Sequence, residues 1–384
     1  MKLLFLTSRF PFPIEKGDKL RAYYFIKHLS RYHSIYLFAI NDKQPDKNAL
    51  AELKPYCAAI HVEVVTATQS VLQMVKAIPT QTPFQVAYFT CNRAQINLKT
   101  FINEHSIDKV FCHLIRMAEY ANVLPGKKAV IDYMDAFAKG VERMAAKAVW
   151  WKRLPYMIEE QRLVKYEAKV FDSFSQHIII SAQDREFINH SNKKAITVIP
   201  NGVEFDYYTP QQAQKKYDLL FMGNMAYPPN VDSVTYAAKK IMPLIHKREP
   251  TATLLIAGAT PVKQVCNLQS DKITVSGWVD DARTVFAASR IMIAPMLISI
   301  GLQNKILQAM AMKIPCVISR LANNAIGAPD NCVCVAENPE QYAEYIIDLL
   351  KHPEKANEMA ERAYTFVKQH FEWEQNVALA NKLI

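Results

Sequence analysis

The run Ala294-Pro295-Met296-Leu297-Ile298-Ser299-Ile300-Gly301-Leu302-Gln303-Asn304-Lys305 is the part of the chain best suited to chemistry. It reads as a strand that ends near Pro295, a loop that holds Gly301, and a helix that begins near Leu302. The first amides of a helix have no partner inside it, and a glycine lets a ligand approach them closely, so this pattern suits a diphosphate. Lys305 falls in the first helical turn, where its ammonium would meet the same anion. Gln308 lies three residues further on the same face and is placed to bond sugar hydroxyls. A strand–loop–helix crossover with no ligand has the same pattern.

A second group lies near the beginning of the chain. Lys16-Gly17-Asp18-Lys19 follows the first strand and precedes a helix from Leu20. Gly17 allows a turn close to a ligand, and Lys19 and Arg21 are candidates for an acceptor phosphate, with Asp18 beside them. A solvated charged turn is the plainer alternative. His113 follows the strand Val110-Phe111-Cys112; Asp132 and Asp135 close the strand Val130-Ile131-Asp132. Asp135 is the better placed of the two for an acceptor hydroxyl, and Asp132 serves to cap or orient. No clustered His/Asp motif points to a metal.

These loops need elements to hold them. Short apolar runs, mostly β-branched or rich in leucine, alternate with helix-length amphipathic segments along the whole sequence. Strands are expected at Leu3–Thr7, Ser34–Ala39, Ile60–Val65, Val110–Cys112, Ala129–Asp132 and Gln176–Ser181. A second set is expected at Leu219–Met222, Thr253–Ala257, Ile273–Ser276, Ile291–Ala294, Cys316–Ser319 and Cys332–Val335. Near-continuous apolar strands with helical crossovers indicate parallel sheets covered on both faces. The turn-rich segment Ile199-Pro200-Asn201-Gly202-Val203 separates the two sets. The expected architecture is therefore α/β, with two doubly wound Rossmann-like domains, 1–200 and 201–365, facing across a cleft where ligands sit. The aromatics Phe371 and Trp373 need burial, which a final helix over 366–384 crossing back to the first domain would provide.

Composition sets the limits. The chain has 384 residues, of which 50% are hydrophobic and 21% charged, a globular balance. Seven cysteines without a CxxC pair argue for a reducing compartment and against a zinc ribbon. The apolar run at Leu3–Leu6 is too short for a signal peptide, and Val285–Leu302 is broken by Arg290 and Pro295. A cytoplasmic protein is expected. The formal net charge of +10 lies wholly in residues 1–200, which hold 28 Lys and Arg against 18 Asp and Glu; the remainder is balanced at 18 each. Such asymmetry suits an anionic partner. Between Lys139 and Lys169, Arg143, Lys147, Lys152 and Arg153 interleave with Trp150, Trp151, Leu154 and Met157, which suits the interface of an anionic bilayer. A surface helix with a buried tryptophan side is the alternative. No nucleic-acid-binding module accompanies the charge.

Taken with Ile199–Val203, the Ala309-Met310-Ala311 helix before Pro315-Cys316-Val317, and Phe371–Trp373, the 294–312 run resembles the retaining nucleotide-sugar glycosyltransferases of family 4, which have the GT-B fold. The likeness covers essentially the whole chain. Within the family it is closest to the sugar transferases of exosortase and exopolysaccharide systems, through Pro11-Phe12-Pro13, Lys16–Lys19, Arg21 and Gly301…Gln303-Asn304-Lys305. The resemblance implies a donor-phosphate loop at Gly223 and Asn224, and a nucleotide-base loop at Gly277-Trp278-Val279 before a helix opened by Asp280 or Asp281. It also implies diphosphate contacts through the amides of Ser299, Ile300 and Gly301, donor-binding positions at Leu302 and Asn304, and a histidine near His113 that touches the transferred sugar. Family members usually carry glutamates where Ile300 and Gln308 stand here. Glutamine keeps a carbonyl acceptor but loses the charge that strengthens a bond to ribose.

The leading expectation is retaining, metal-independent sugar transfer from a nucleotide diphosphate sugar to a lipid-linked or saccharide acceptor, without a cofactor. His113, Asp135 and Lys305 are the catalytic candidates, at the inner face of the cell membrane. Two other readings stay open: a nucleotide-sugar epimerase or hydrolase on the same scaffold, and a degenerate transferase kept as a scaffold or partner subunit.

Overall fold

The computed structural model describes residues 1–121, 128–298 and 301–384. The chain divides into two compact units, Met1–Pro200 with Trp373–Ile384, and Asn201–Glu372.

In the first unit the strands are β1 (Lys2–Thr7), β2 (Ser34–Asn41), β3 (Cys57–Val64), β4 (Lys109–His113), β5 (Ala129–Asp132), β6 (Gln176–Ile179) and β7 (Thr197–Val198). They form one sheet in the order β3-β2-β1-β4-β5-β6-β7, and every pair is parallel. Alternate side chains of a strand leave opposite faces. Leu4 and Leu6 accordingly enter one core, with the helix Asn92–His105, while Leu3 and Phe5 enter the other. Both faces are dry, which is why these strands read as unbroken apolar runs.

The second core is completed from the far end of the chain. Trp373, 1% exposed, stacks on Tyr24 with ring centroids 4.9 Å apart and meets Phe25 edge-on. The helix Trp373–Asn381 therefore returns to the first unit. Residues 366–370, expected to travel with it, instead end the helix Pro353–His370 of the second unit. The chain leaves that unit at Phe371 and Glu372, where the Val203 amide donates to the Phe371 carbonyl at 2.6 Å.

The second unit repeats the plan. Its strands are β8 (Tyr217–Met222), β9 (Leu254–Ala257), β10 (Ile273–Gly277), β11 (Ser289–Ala294), β12 (Cys316–Ser319) and β13 (Cys334–Ala336), in the order β10-β9-β8-β11-β12-β13. Counted within each unit, both sheets follow the doubly wound order 3-2-1-4-5-6, with β7 added at the edge of the first. The direction of winding reverses between β1 and β4 in the first unit and between β8 and β11 in the second. Loops after those strands are where such a fold binds ligands.

Several strand bounds shift by one to three residues, most at β3, which starts at Cys57 rather than Ile60. The sequence reading also misses β7, a two-residue strand too short to show a period, and sets β13 too early. The latter starts at Cys334, because Cys332 and Val333 belong to the preceding loop. Among the described residues no helix is long and apolar enough to cross a membrane.

Candidate functional site

In the second unit, three loops converge beyond β8, β9 and β10. The Gly223 amide donates to the Ala257 carbonyl at 3.0 Å, the Gly258 amide to the Gly277 carbonyl at 2.9 Å, and the Met225 amide to the Ala259 carbonyl at 2.8 Å. Gly258 has φ +140°, and a Cβ there would lie 1.8 Å from the Gly223 carbonyl oxygen. Only glycine fits. A Cβ on Gly223 would press within 2.7 Å of the Asn230 amide nitrogen and 3.3 Å of Lys305 Nζ.

Asn230 and Lys305 bridge the two sides of the winding reversal. Asn230 sits in the helix Pro228–Tyr236 that follows β8, and Lys305 in the helix Asn304–Ala311 that follows β11. Lys305 Nζ donates to Asn230 Oδ1 at 2.6 Å, and Asn230 Nδ2 donates to the Asn224 carbonyl at 2.9 Å. The Lys305 ammonium also stands 4.3 Å from the centroid of the buried Phe221 ring. No carboxylate among the described residues pairs with it, and burial pulls its pKa down to about 7. An enclosed cation whose partners among the described residues are an amide oxygen and a ring face is suited to an incoming anion.

The other expected donor residues have the following surroundings. Asn224 makes the turn itself: its Oδ1 accepts from the Ala226 amide at 2.9 Å and from Thr260 Oγ1 at 3.0 Å. Gly277 has φ +70° with open space where a Cβ would stand. Trp278 is 66% exposed, and its indole donates to Asp280 at 2.8 Å; Val279 is half-buried beside it. Asp281, rather than Asp280, caps the next helix by accepting from the Arg283 amide. Gly301 has φ +68°, Leu302 is buried, and Asn304 accepts from Asn201 at 3.2 Å. The helix starts at Asn304, two residues later than the sequence suggests. Gln308 is half-buried, three residues from Lys305. Ser299 and Ile300 lie outside the described residues.

In the first unit the expected residues meet, but mostly as partners of one another. Arg21 is fully buried and forks onto Asp132, with Nε at 2.7 Å and Nη2 at 2.9 Å. It is therefore not available to an acceptor phosphate, which corrects the sequence expectation. His113, 2% exposed, is likewise engaged rather than presented: Nδ1 lies 3.0 Å from Asp132 Oδ2 and Nε2 lies 3.0 Å from the Asp18 carbonyl. Burial alone would raise the Asp132 carboxyl, but Arg21 and His113 hold it far below the usual range. Asp132 thus orients, as the strand-end position suggested.

Asp18 pairs with Arg9. Burial opposes its charge, yet Arg9, His113 and Arg116 keep its pKa below normal. Lys19 pairs with Glu15 at 3.0 Å. Gly17 opens the helix Gly17–Leu29, and a Cβ there would come within 3.2 Å of Met134. Asp135 is different in kind. Burial, and then the neighbouring Asp184, push its pKa up, so it is primed to hold a proton near neutrality. Leu114 at φ +72° and Met134 at φ +62° follow β4 and β5, so the backbone is strained where these groups gather.

Asn230 and Gly258 went unnoticed in the sequence. Ala257-Gly258-Ala259 after an apolar strand is a legible signal of close backbone approach. Nothing in the spacing links residue 230 to residue 305.

Residues 216–352, within the second unit, match the family described as "Glycosyl transferases group 1". An uncharacterised 44.6 kDa protein in the cps region of Klebsiella pneumoniae is 20% identical, over 97% of this chain and 96% of that one. Sucrose-phosphate synthase from Thermosynechococcus elongatus superposes with a TM-score of 0.71 at 13% identity, covering 100% of this chain and 98% of that one. Anabaena Alr3699/HepE, solved in complex with UDP, has a TM-score of 0.70 at 14% identity and full coverage of both chains. The fold is GT-B, two Rossmann-like domains built on parallel sheets.

Proposed function

We propose that the chain is a glycosyltransferase that takes a sugar from a nucleotide diphosphate sugar and passes it to a saccharide or lipid-linked acceptor. The observation that carries this reading is the enclosed Lys305 ammonium, unpaired by any described carboxylate, at the winding reversal of a group 1 domain. The HepE complex with UDP supports a nucleoside diphosphate as the bound group.

In this reading the Lys305 ammonium and the amides around Gly301 meet the charge that grows on the departing diphosphate, which is electrostatic catalysis by groups already in place. Asn230 holds the ammonium in position. The open face of Gly277 and the indole of Trp278 receive the base, and Gln308 receives hydroxyls of the donor. The anomeric carbon–oxygen bond to the diphosphate breaks as the acceptor hydroxyl attacks. The hydroxyl proton leaves to a phosphate oxygen of the departing diphosphate. Retention of configuration follows from the resemblance to family 4. Metal independence follows because an ammonium meets the diphosphate charge.

The first unit would serve a membrane-proximal acceptor, in keeping with exopolysaccharide assembly. Trp150 is 81% exposed and Trp151 60%, and Leu154 and Met157 continue the apolar surface. Arg162 of the same helix bonds the carbonyls of Ala77, Ile78 and Thr82. It thereby fixes the end of the helix Ala67–Ala77, whose Val71, Leu72 and Val75 are also exposed. Apolar faces flanked by Lys76 and Arg153 fit the interface of an anionic bilayer.

A thermal-shift panel of nucleoside diphosphates and their sugar conjugates tests the donor assignment, since a ligand of the native state raises the melting point. At least one is expected to stabilise the wild type and to lose that effect in Lys305→Ala. A panel with no response, or an equal response in the variant, would remove the assignment.

A further inference from the structure

A cavity of about 590 Å³ opens in the first unit beyond the ends of β1, β2 and β3; Arg9 in its wall pairs with Asp18, whose carbonyl contacts His113 of the buried cluster. That volume is in the range of small-molecule sites, roughly 300–1,000 Å³. Three features of its wall point to one class of ligand.

Ser8 lines the cavity, is only 2% exposed, and its hydroxyl has no hydrogen-bond partner. A buried hydroxyl left unmet is costly, and it is explained if a ligand group completes it. The charges on the wall are unequal in their commitments. Arg9 and Lys19 are spent on Asp18 and Glu15, and Asp46 is spent capping the helix Lys47–Leu53 through the Ala49 amide at 2.7 Å. Lys16 and Lys43 meet no carboxylate among the described residues, and Asp42 is the acidic group left to face them. Finally, Phe12, Tyr88 and Phe89 supply aromatic surface on the same wall. Aromatic rings pack against the apolar faces of a pyranose, while Asp42 and Ser8 suit its hydroxyls.

We propose that this cavity binds a saccharide bearing an anionic group, a phosphate or a carboxylate, with Lys16 and Lys43 reading the charge and Ser8 a hydroxyl. Its role as the acceptor rests on the transferase reading; the binding itself does not.

The test is calorimetry on the full-length protein with glucose 6-phosphate, glucuronate, glucose and inorganic phosphate, each with and without UDP. The charged sugars are expected to bind about tenfold or more tighter than glucose, and tighter than inorganic phosphate. The double variant Lys16→Ala/Lys43→Ala is expected to erase that preference while keeping the wild-type melting point and UDP affinity. Ser8→Ala is expected to weaken the charged sugars several-fold, by about the worth of one hydrogen bond, without lowering the melting point. The proposal is overturned if charged sugars fail to bind, if glucose binds equally, if inorganic phosphate alone binds as tightly, or if the double variant changes nothing. Sugar binding without UDP binding would overturn the donor reading and leave this one standing.

Discussion

At the scale of single residues, groups that hold one another stand apart from groups proposed to meet a ligand. Arg21 and Asp132 belong to the first kind. Truncating one partner of a buried ion pair strands the other, so Arg21→Ala is expected to cost about 3–5 kcal/mol in urea unfolding. A loss under 1 kcal/mol would mean the pair is not a structural anchor. Gln308 belongs to the second kind. Gln308→Glu restores a charged acceptor toward donor hydroxyls, and UDP affinity is expected to rise about tenfold, since charge-assisted bonds are roughly twice as strong. Unchanged affinity in titration calorimetry would place Gln308 outside the donor contact. The ends of strands were legible as the home of these residues, because an apolar run stopping at a polar group announces itself. Their partners were not: Arg21 and Asp132 are 111 positions apart, and only the β1–β4–β5 ordering of the sheet brings them together.

At the scale of elements, the proposed donor site depends on how closely three strand ends approach. Gly258→Ala puts a methyl 1.8 Å from the Gly223 carbonyl, in a φ region closed to alanine. It is expected to lower stability by about 2–3 kcal/mol or more and to weaken UDP binding as the Gly223 turn moves. Wild-type denaturation and wild-type UDP affinity in this variant would contradict the packing described. Most strands could be read from β-branched runs of four or more residues, as at β5 and β12, where expected and observed bounds coincide. The helix Asn304–Ala311 starts later than the pattern suggested because Leu302 turns inward and Gln303 occupies the cap position. Hydrophobicity alone does not mark that choice.

At the scale of the molecule, charge and exposed apolar surface gather on the first unit. Its residues 1–200 carry the whole net charge of +10, and Glu374 and Lys382 of the returning segment Trp373–Ile384 cancel. Co-sedimentation with anionic liposomes is therefore expected, weakening as salt shortens the screening length to roughly 8–10 Å at 0.1–0.15 M. Trp150→Ser/Trp151→Ser is expected to reduce it further without changing the melting point, since both indoles face outward. Sedimentation indifferent to salt, lipid charge and these tryptophans would remove the membrane assignment.

In the proposed reading Lys305 waits for a diphosphate. Its pKa of about 7 in the free protein lies below the ordinary lysine value of 10.5. Between those two values the unfolded chain binds more protons than the folded one, so this group makes folding more favourable as pH rises. Diphosphate binding acts in the opposite sense: the anion favours the charged ammonium, so binding above pH 7 draws in a proton and weakens as pH increases. Titration of UDP into the protein at pH 8, in two buffers of different ionisation enthalpy, measures that proton directly. The account predicts net proton uptake in the wild type and a loss of both uptake and affinity in Lys305→Ala; equal affinity without proton uptake in the two proteins would contradict it.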